Sequence, residues 1–100
     1  MENIIEKDEI IVEDMIYEIR GVQVMLDSDL AKLYQVETKR INEAVKNNPE
    51  KFPIRFSFIL DDSEKEYLWS KFSTANISSK SRSNPRVFTE QGIYMLATIY

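Results

Sequence analysis

Two short runs of apolar residues at helical spacing, set close together within residues 27–48, constrain this chain more than any other feature. Leu30, Leu33 and Tyr34 follow Asp27 on one predicted helix face, and Ile41, Ala44 and Val45 follow Glu37 or Thr38 on another. Asp27 is placed to cap the first helix and Leu26 to staple its entry. Gln35-Val36 breaks the first run, and Asn48-Pro49 ends the second, because the residue before a proline is pushed out of helical dihedrals. Helices this close in sequence cross at about 90 to 120° over a tight turn, so the first must offer a small side chain at the contact. Ala31 fits that need; Gln35 takes the turn, Val36 follows, and Ile41, Ala44 and Val45 lock the second helix against the first. The frame is that of a helix-turn-helix.

The flanking segments supply a sheet and further helices. Met15, Tyr17 and Ile19 before Arg20-Gly21, and Val22, Val24 and Leu26 after it, alternate with period two, as in a β-hairpin. Ile54, Phe56, Phe58 and Leu60 alternate with Arg55, Ser57 and Ile59, which predicts a strand. Ser63 and Glu66 have capping-box spacing for a third helix whose apolar face is Tyr67, Leu68 and Phe72. The Ser/Asn-rich stretch between Phe72 and Val87 reads as a surface loop, after which Thr89 caps a last helix with Ile93, Leu96, Ala97 and Tyr100 inward. That helix has no stop signal, so the chain looks cut from a longer protein, with room for a C-terminal domain. The expected architecture is α+β: a single small domain over residues 15–100, winged-helix-like, preceded by an acidic arm over residues 1–14.

Composition excludes several classes of function. With 100 residues, 43% of them hydrophobic, the chain suits one core and not two. It has no cysteine and no histidine, which removes disulfides, thiolate zinc sites and the usual imidazole base, so we expect no enzyme, no cofactor and no metal. The pairs Asp27 with Asp29 and Asp61 with Asp62 lie at predicted helix starts, where carboxylates cap free amides. No run approaches the roughly 20 apolar residues that span a bilayer. The acidic start is unlike a secretory signal, and a cytoplasmic protein is expected.

A net charge of -4 argues against phosphate binding until its distribution is considered. Residues 1–26 carry seven acids and two bases, whereas residues 27–60 carry five and six and residues 73–100 carry one and three, so two segments are locally basic. On the second helix, Thr38, Lys39, Arg40, Asn42, Glu43, Lys46 and Asn47 cover the outer face. Thr38, Lys39 and Asn42 are candidates for base or near-base contacts, and Arg40 and Lys46 for the phosphate backbone. Asn42 suits a bidentate pair with adenine, and Glu43 suits a cytosine amine. The competing reading is a helical hairpin with an ordinary solvated face. Lys80, Arg82 and Arg86 suit a wing or arm that follows phosphates or enters a minor groove, or else a merely soluble loop, and Arg86 is the one expected to be fixed. Ile10, Ile11 and Val12 could pair with another chain and help dimerise the module, or belong to a poorly ordered leader. Trp69, Phe72, Phe88 and Tyr94 read as core residues, not a stacking platform.

From Ile16 to Tyr100 the blocks IRG, LDSDLAKLY, VETKRINEAVKNN, KFP with the following strand, and FTEQG agree in order and spacing with one family. Over about 85% of its length the chain resembles the Orf-six N-terminal domain of phage and bacterial proteins, a relative of the KilA-N domain. The resemblance implies a DNA-binding module at the N-terminus of a phage regulator or antirepressor, often ahead of a separate C-terminal domain. It departs from the family at Gln35, where the family has glycine: either the turn is looser here or Gln35 carries about 1 kcal/mol of strain. The expected partner is double-stranded DNA bound by a homodimer; the alternative is a protein-protein interaction module without DNA contact.

Overall fold

The computed structural model describes residues 12–71 and 84–100. After a 3-10 turn at Val12–Met15, strands β1 (Ile16–Ile19) and β2 (Val22–Leu26) pair antiparallel with Ile19 opposite Val22. That register leaves Arg20-Gly21 as a two-residue loop with φ of +57° and +77°, the pair of positive values a type I′ hairpin turn needs. Glycine adopts such a φ freely and arginine does not. Arg20 is held there by its side chain: Nε and Nη2 donate to the two carboxylate oxygens of Glu64 at 2.8 and 3.0 Å, and the guanidinium lies 4.1 Å from the Phe58 ring centre.

Strands β3 (Ser57–Ile59) and β4 (Arg86–Thr89) complete a four-stranded antiparallel sheet in the order β1-β2-β4-β3. Apolar side chains leave both of its faces. Tyr17, Ile19, Val24, Leu26, Phe58 and Val87 form one core with Leu60 and with Leu68 of helix α3 (Asp62–Lys71). Met25 and Phe88 belong to the other core, which gathers α1 (Asp27–Tyr34), α2 (Thr38–Asn47) and α4 (Glu90–Ala97) through Leu30, Ala31, Ile41, Ala44, Val45 and Leu96. The result is a small α+β fold with a helix layer on each face of the sheet.

Several expectations change. The strand expected over Ile54, Phe56, Phe58 and Leu60 shrinks to Ser57–Ile59, because Pro53 starts a turn in which its carbonyl accepts from Phe56 N and Ser57 N at 2.7 and 3.1 Å. Ile54 is thereby left 71% exposed. The capping box of α3 lies at Asp61 and Glu64, not at Ser63 and Glu66: Asp61 Oδ1 accepts from Glu64 N at 2.8 Å and Glu64 Oε1 accepts from Asp61 N at 2.9 Å. Of the predicted apolar face of α3 only Leu68 is buried, while Tyr67 is exposed and Phe72 lies outside the described residues. Trp69 and Tyr94, read as core, are exposed; Phe88 is fully buried.

Thr89 does cap α4, its hydroxyl accepting from Gly92 N at 3.3 Å. Leu96 is buried and Ile93 partly so, but Ala97 faces solvent. The backbone at Gly92 lies against the Phe56 carbonyl so closely that a Cβ would overlap it. No helix among the described residues is long and apolar enough to cross a membrane.

Candidate nucleic-acid interface

The turn between α1 and α2 is tight. Gln35 takes the left-handed conformation (φ 59°, ψ 46°), its N–H donates to Lys32 O at 3.2 Å, and Val36 N–H donates to Ala31 O at 3.0 Å. These two bonds are the paired closure of a Schellman motif, which satisfies orphan carbonyls and folds Val36 back toward Ala31. Of the two possibilities left open at Gln35, the chain takes the strained turn and not the looser one. Glu37, extended, then leads into α2, where Ile41, Ala44 and Val45 are buried against Leu30 and Ala31 as the spacing predicts.

That packing turns the rest of α2 outward. Lys39, Arg40, Glu43, Lys46 and Asn47 are exposed; Thr38 and Asn42 are half-buried. Three cations and one carboxylate among these side chains make the outer face locally basic. Asn42 is oriented inward: its Nδ2 donates to Asp27 Oδ2 at 2.8 Å and to Thr38 O at 3.2 Å. Pairing with adenine through that nitrogen would require releasing the Asp27 contact.

Asp27 is therefore not the cap its position predicts. It is the first residue of α1, the cap position falls on Leu26 without a side-chain bond, and the carboxylate is 6% exposed. Its oxygens accept from Ser28 N at 2.7 Å, Asn42 Nδ2 at 2.8 Å and Arg86 N at 3.3 Å, which ties α1, α2 and β4 at one point. Periodicity carries no signal for this hub, since two of its three bonds span 15 and 59 residues.

Arg86 is fixed, as expected, but within β4. Its Nη1 donates to Ser57 Oγ at 3.0 Å, and burial lowers the guanidinium pKa while the nearby Asp27 carboxylate raises it. Lys80 and Arg82 lie outside the described residues. Two cations that the spacing argument passed over, Lys51 and Arg55, are exposed beyond the C-terminal end of α2.

The second helix is braced from the far end of the chain as well. Tyr100 stacks on Tyr34 with ring centres 5.3 Å apart, and its hydroxyl donates to the Arg40 carbonyl at 2.9 Å. Tyr100, expected inward, is instead 44% exposed, its ring lying across α1 and α2 outside the core. Asp29, also in the first turn of α1, is 4% exposed with one carboxylate oxygen unpaired, and burial raises its pKa. Among the described residues no group of three or more carboxylates could hold a metal ion.

Residues 14–99 match the family model described as the ORF6N domain. No curated protein and no solved structure matches the chain. The family match takes in every described strand and α-helix of the fold, the turn at Gln35 and the whole outer face of α2, and on that ground the chain belongs to the ORF6N domain family.

Proposed function

We propose that this chain binds double-stranded DNA sequence-selectively through its helix-turn-helix, as the N-terminal module of a phage-type regulator or antirepressor, and performs no catalysis of its own. The observation that carries the reading is α2 itself: three apolar anchors press it onto α1, while Lys39, Arg40, Glu43 and Lys46 face solvent together. A short helix held this way behind a tight turn is the geometry that enters a major groove, with its N-terminal half at the bases. Lys39 and Glu43 are the exposed candidates for base edges, with Thr38 beside them, and Arg40 and Lys46 contact the backbone. Asn42 acts first as a positioning residue, through Asp27. Lys80, Arg82 and Arg86 extend the contact as a basic arm, a role in which Arg86 anchors the arm to the sheet. A homodimer in the cytoplasm, reading a two-fold-symmetric site, completes the proposal.

Titration of labelled duplex DNA at several salt concentrations tests it. About three to five phosphate contacts per module give a log-log slope of roughly -3 to -5. No binding at low salt sinks the proposal, and a flat salt response removes its phosphate contacts.

The net charge of -4 and the exposed Trp69 on α3 favour a second reading, a protein-interaction module of an antirepressor that does not touch DNA. A Lys39→Ala, Lys46→Ala double variant separates the two. It weakens DNA binding under the first reading and leaves a partner bound at α3 unaffected under the second. Asn42 is unsuited to this experiment because its loss would also disturb the Asp27 hub.

A further inference from the structure

Between α2 and β3 the chain makes a turn, residues 53–56, that is unusually well anchored for a surface loop. Its near end is Phe52, buried beneath α2 with Ile41, Ala44 and Val45 and set edge-on to Phe88 at 6.0 Å between ring centres. Its far end is held by Thr89: the hydroxyl donates to Arg55 O and Phe56 O at 2.9 and 3.2 Å, and the backbone N–H donates to Phe56 O at 3.0 Å. The missing side chain at Gly92 lets α4 close against the same Phe56 carbonyl. Pro53 restricts φ at the start, and its carbonyl accepts the two N–H groups of Phe56 and Ser57.

What this anchoring displays is a side chain the fold does not use. Ile54, at 71%, is the most exposed large hydrophobic residue among those described, and it stands beside Arg55 with Lys51 close by, both exposed. Residues 46–56 carry Lys46, Lys51 and Arg55 against Glu50 alone, a local net charge of +2 in a chain of -4. An apolar tip between cations matches the chemistry of a duplex: phosphates take the charges, and a base-pair edge, a thymine methyl or a minor-groove step takes the aliphatic group.

We propose that residues 51–55 form a second DNA contact beside α2, with Lys51 and Arg55 on phosphates and Ile54 against the bases or sugars of the adjoining groove. The inference rests on the DNA-binding reading and deepens it. It also addresses a shortage of charge: residues 27–48 hold Lys32, Lys39, Arg40 and Lys46 against Asp27, Asp29, Glu37 and Glu43, so the helix pair alone has no net attraction for phosphate.

The test is salt-dependent binding of the full chain and two variants, Arg55→Ala and Ile54→Ser, to duplex selected from a random pool by the wild-type chain, with thermal unfolding to show that each variant folds. Arg55→Ala is expected to reduce the magnitude of the salt slope by about 1. Ile54→Ser is expected to weaken binding about three- to tenfold without changing the slope, the scale of burying part of one aliphatic side chain. If the wild-type chain binds and either variant matches it in affinity and slope, the second contact is overturned and the helix-turn-helix reading survives. If the wild-type chain selects and binds no duplex, both readings fall together.

Discussion

The two ten-residue helices α2 and α3 lie on opposite faces of the sheet and are held by different physics. α2 buries Ile41, Ala44 and Val45 as a continuous stripe, so its attachment is mainly hydrophobic, with the Asn42–Asp27 bond and the Tyr100 brace added to it. α3 buries Leu68 alone; its N-terminal end is secured by polar contacts, with Asp61 and Glu64 capping each other, Arg20 clamping Glu64, and Asn84 donating to Asp62 at 2.9 Å. A striped helix keeps its position whatever its outer residues are, so that face is free to carry recognition. A helix with one buried side chain and polar contacts at its N-terminal end has less such freedom, which is why the functional reading settles on α2.

The largest effect that probes this difference is deletion of the anchors. Ile41→Ala and Leu68→Ala each remove a fully buried side chain, and each is expected to cost about 2 to 5 kcal/mol in denaturant unfolding. The comparison is sharpened by where the damage appears in amide hydrogen exchange. In Leu68→Ala, α3 amides should open well below the global unfolding energy, while α2 amides in either variant should exchange only with global unfolding. Early opening of α2 in the Leu68→Ala protein would break the distinction.

Next in size is the hub at Asp27. Asp27→Ala leaves the Asn42 amide and the Arg86 N–H without their buried acceptor, at an expected cost of about 1 to 3 kcal/mol. Because Asn42 shares the bond, the Asp27→Ala, Asn42→Ala double variant should be less destabilised than the sum of the singles. Additive losses would show that the 2.8 Å contact does not couple α1 to α2.

A smaller effect of opposite sign is expected at the turn. Gln35→Gly relieves a left-handed φ at some entropic cost and should stabilise by about 0.5 to 1 kcal/mol. Arg20→Gly relieves a similar φ but deletes the clamp on α3, so it should not stabilise. A gain at Arg20 equal to that at Gln35 would mean the clamp contributes nothing.

These contrasts also show what could be read from the chain in advance. The helix pair was legible because Ala31, Gln35, Ile41, Ala44 and Val45 interact within a span of 15 residues, where spacing alone reports geometry. The hairpin was legible through Arg20-Gly21, although Met25 breaks the alternation because the sheet is apolar on both faces. What escaped depends on contacts distant in sequence. Ile54 continues the strand alternation on paper, but Pro53 turns the chain there, and Thr89 at the end of β4 and Gly92 in α4 hold that turn. Asp61 and Ser63 are both plausible caps three residues ahead of a glutamate, and the choice falls to Asp61 because Glu64 also meets Arg20. Within the candidate site, the outer face of α2 followed from periodicity, whereas the inward turn of Asn42 required Asp27 to be buried beside it.

The smallest expected effect is electrostatic, and it distinguishes the helix layers by the sign of their pH dependence. On α3, the hydrogen bond from Arg20 is the main cause that lowers the Glu64 pKa below its ordinary 4.5, with burial opposing it. The folded value is depressed, so this contribution is present above the unfolded pKa and is lost as pH falls through the folded one. On α1, burial is the main cause that raises the Asp29 pKa above its ordinary 3.8. The folded state then favours the protonated form, and stability is greatest below the unfolded pKa and declines as pH rises through the folded one. Unfolding midpoints in urea at neutral pH and near pH 3 should therefore move in opposite directions for two conservative variants. Glu64→Gln should lose less than about 1 kcal/mol at neutral pH, as for a partly exposed pair, and less still in acid. Asp29→Asn should gain stability at neutral pH, where the buried unpaired carboxylate oxygen is costly, and gain little once the wild-type group is protonated. A Glu64→Gln loss of the same size at both pH values would assign the clamp to hydrogen-bond geometry instead of charge.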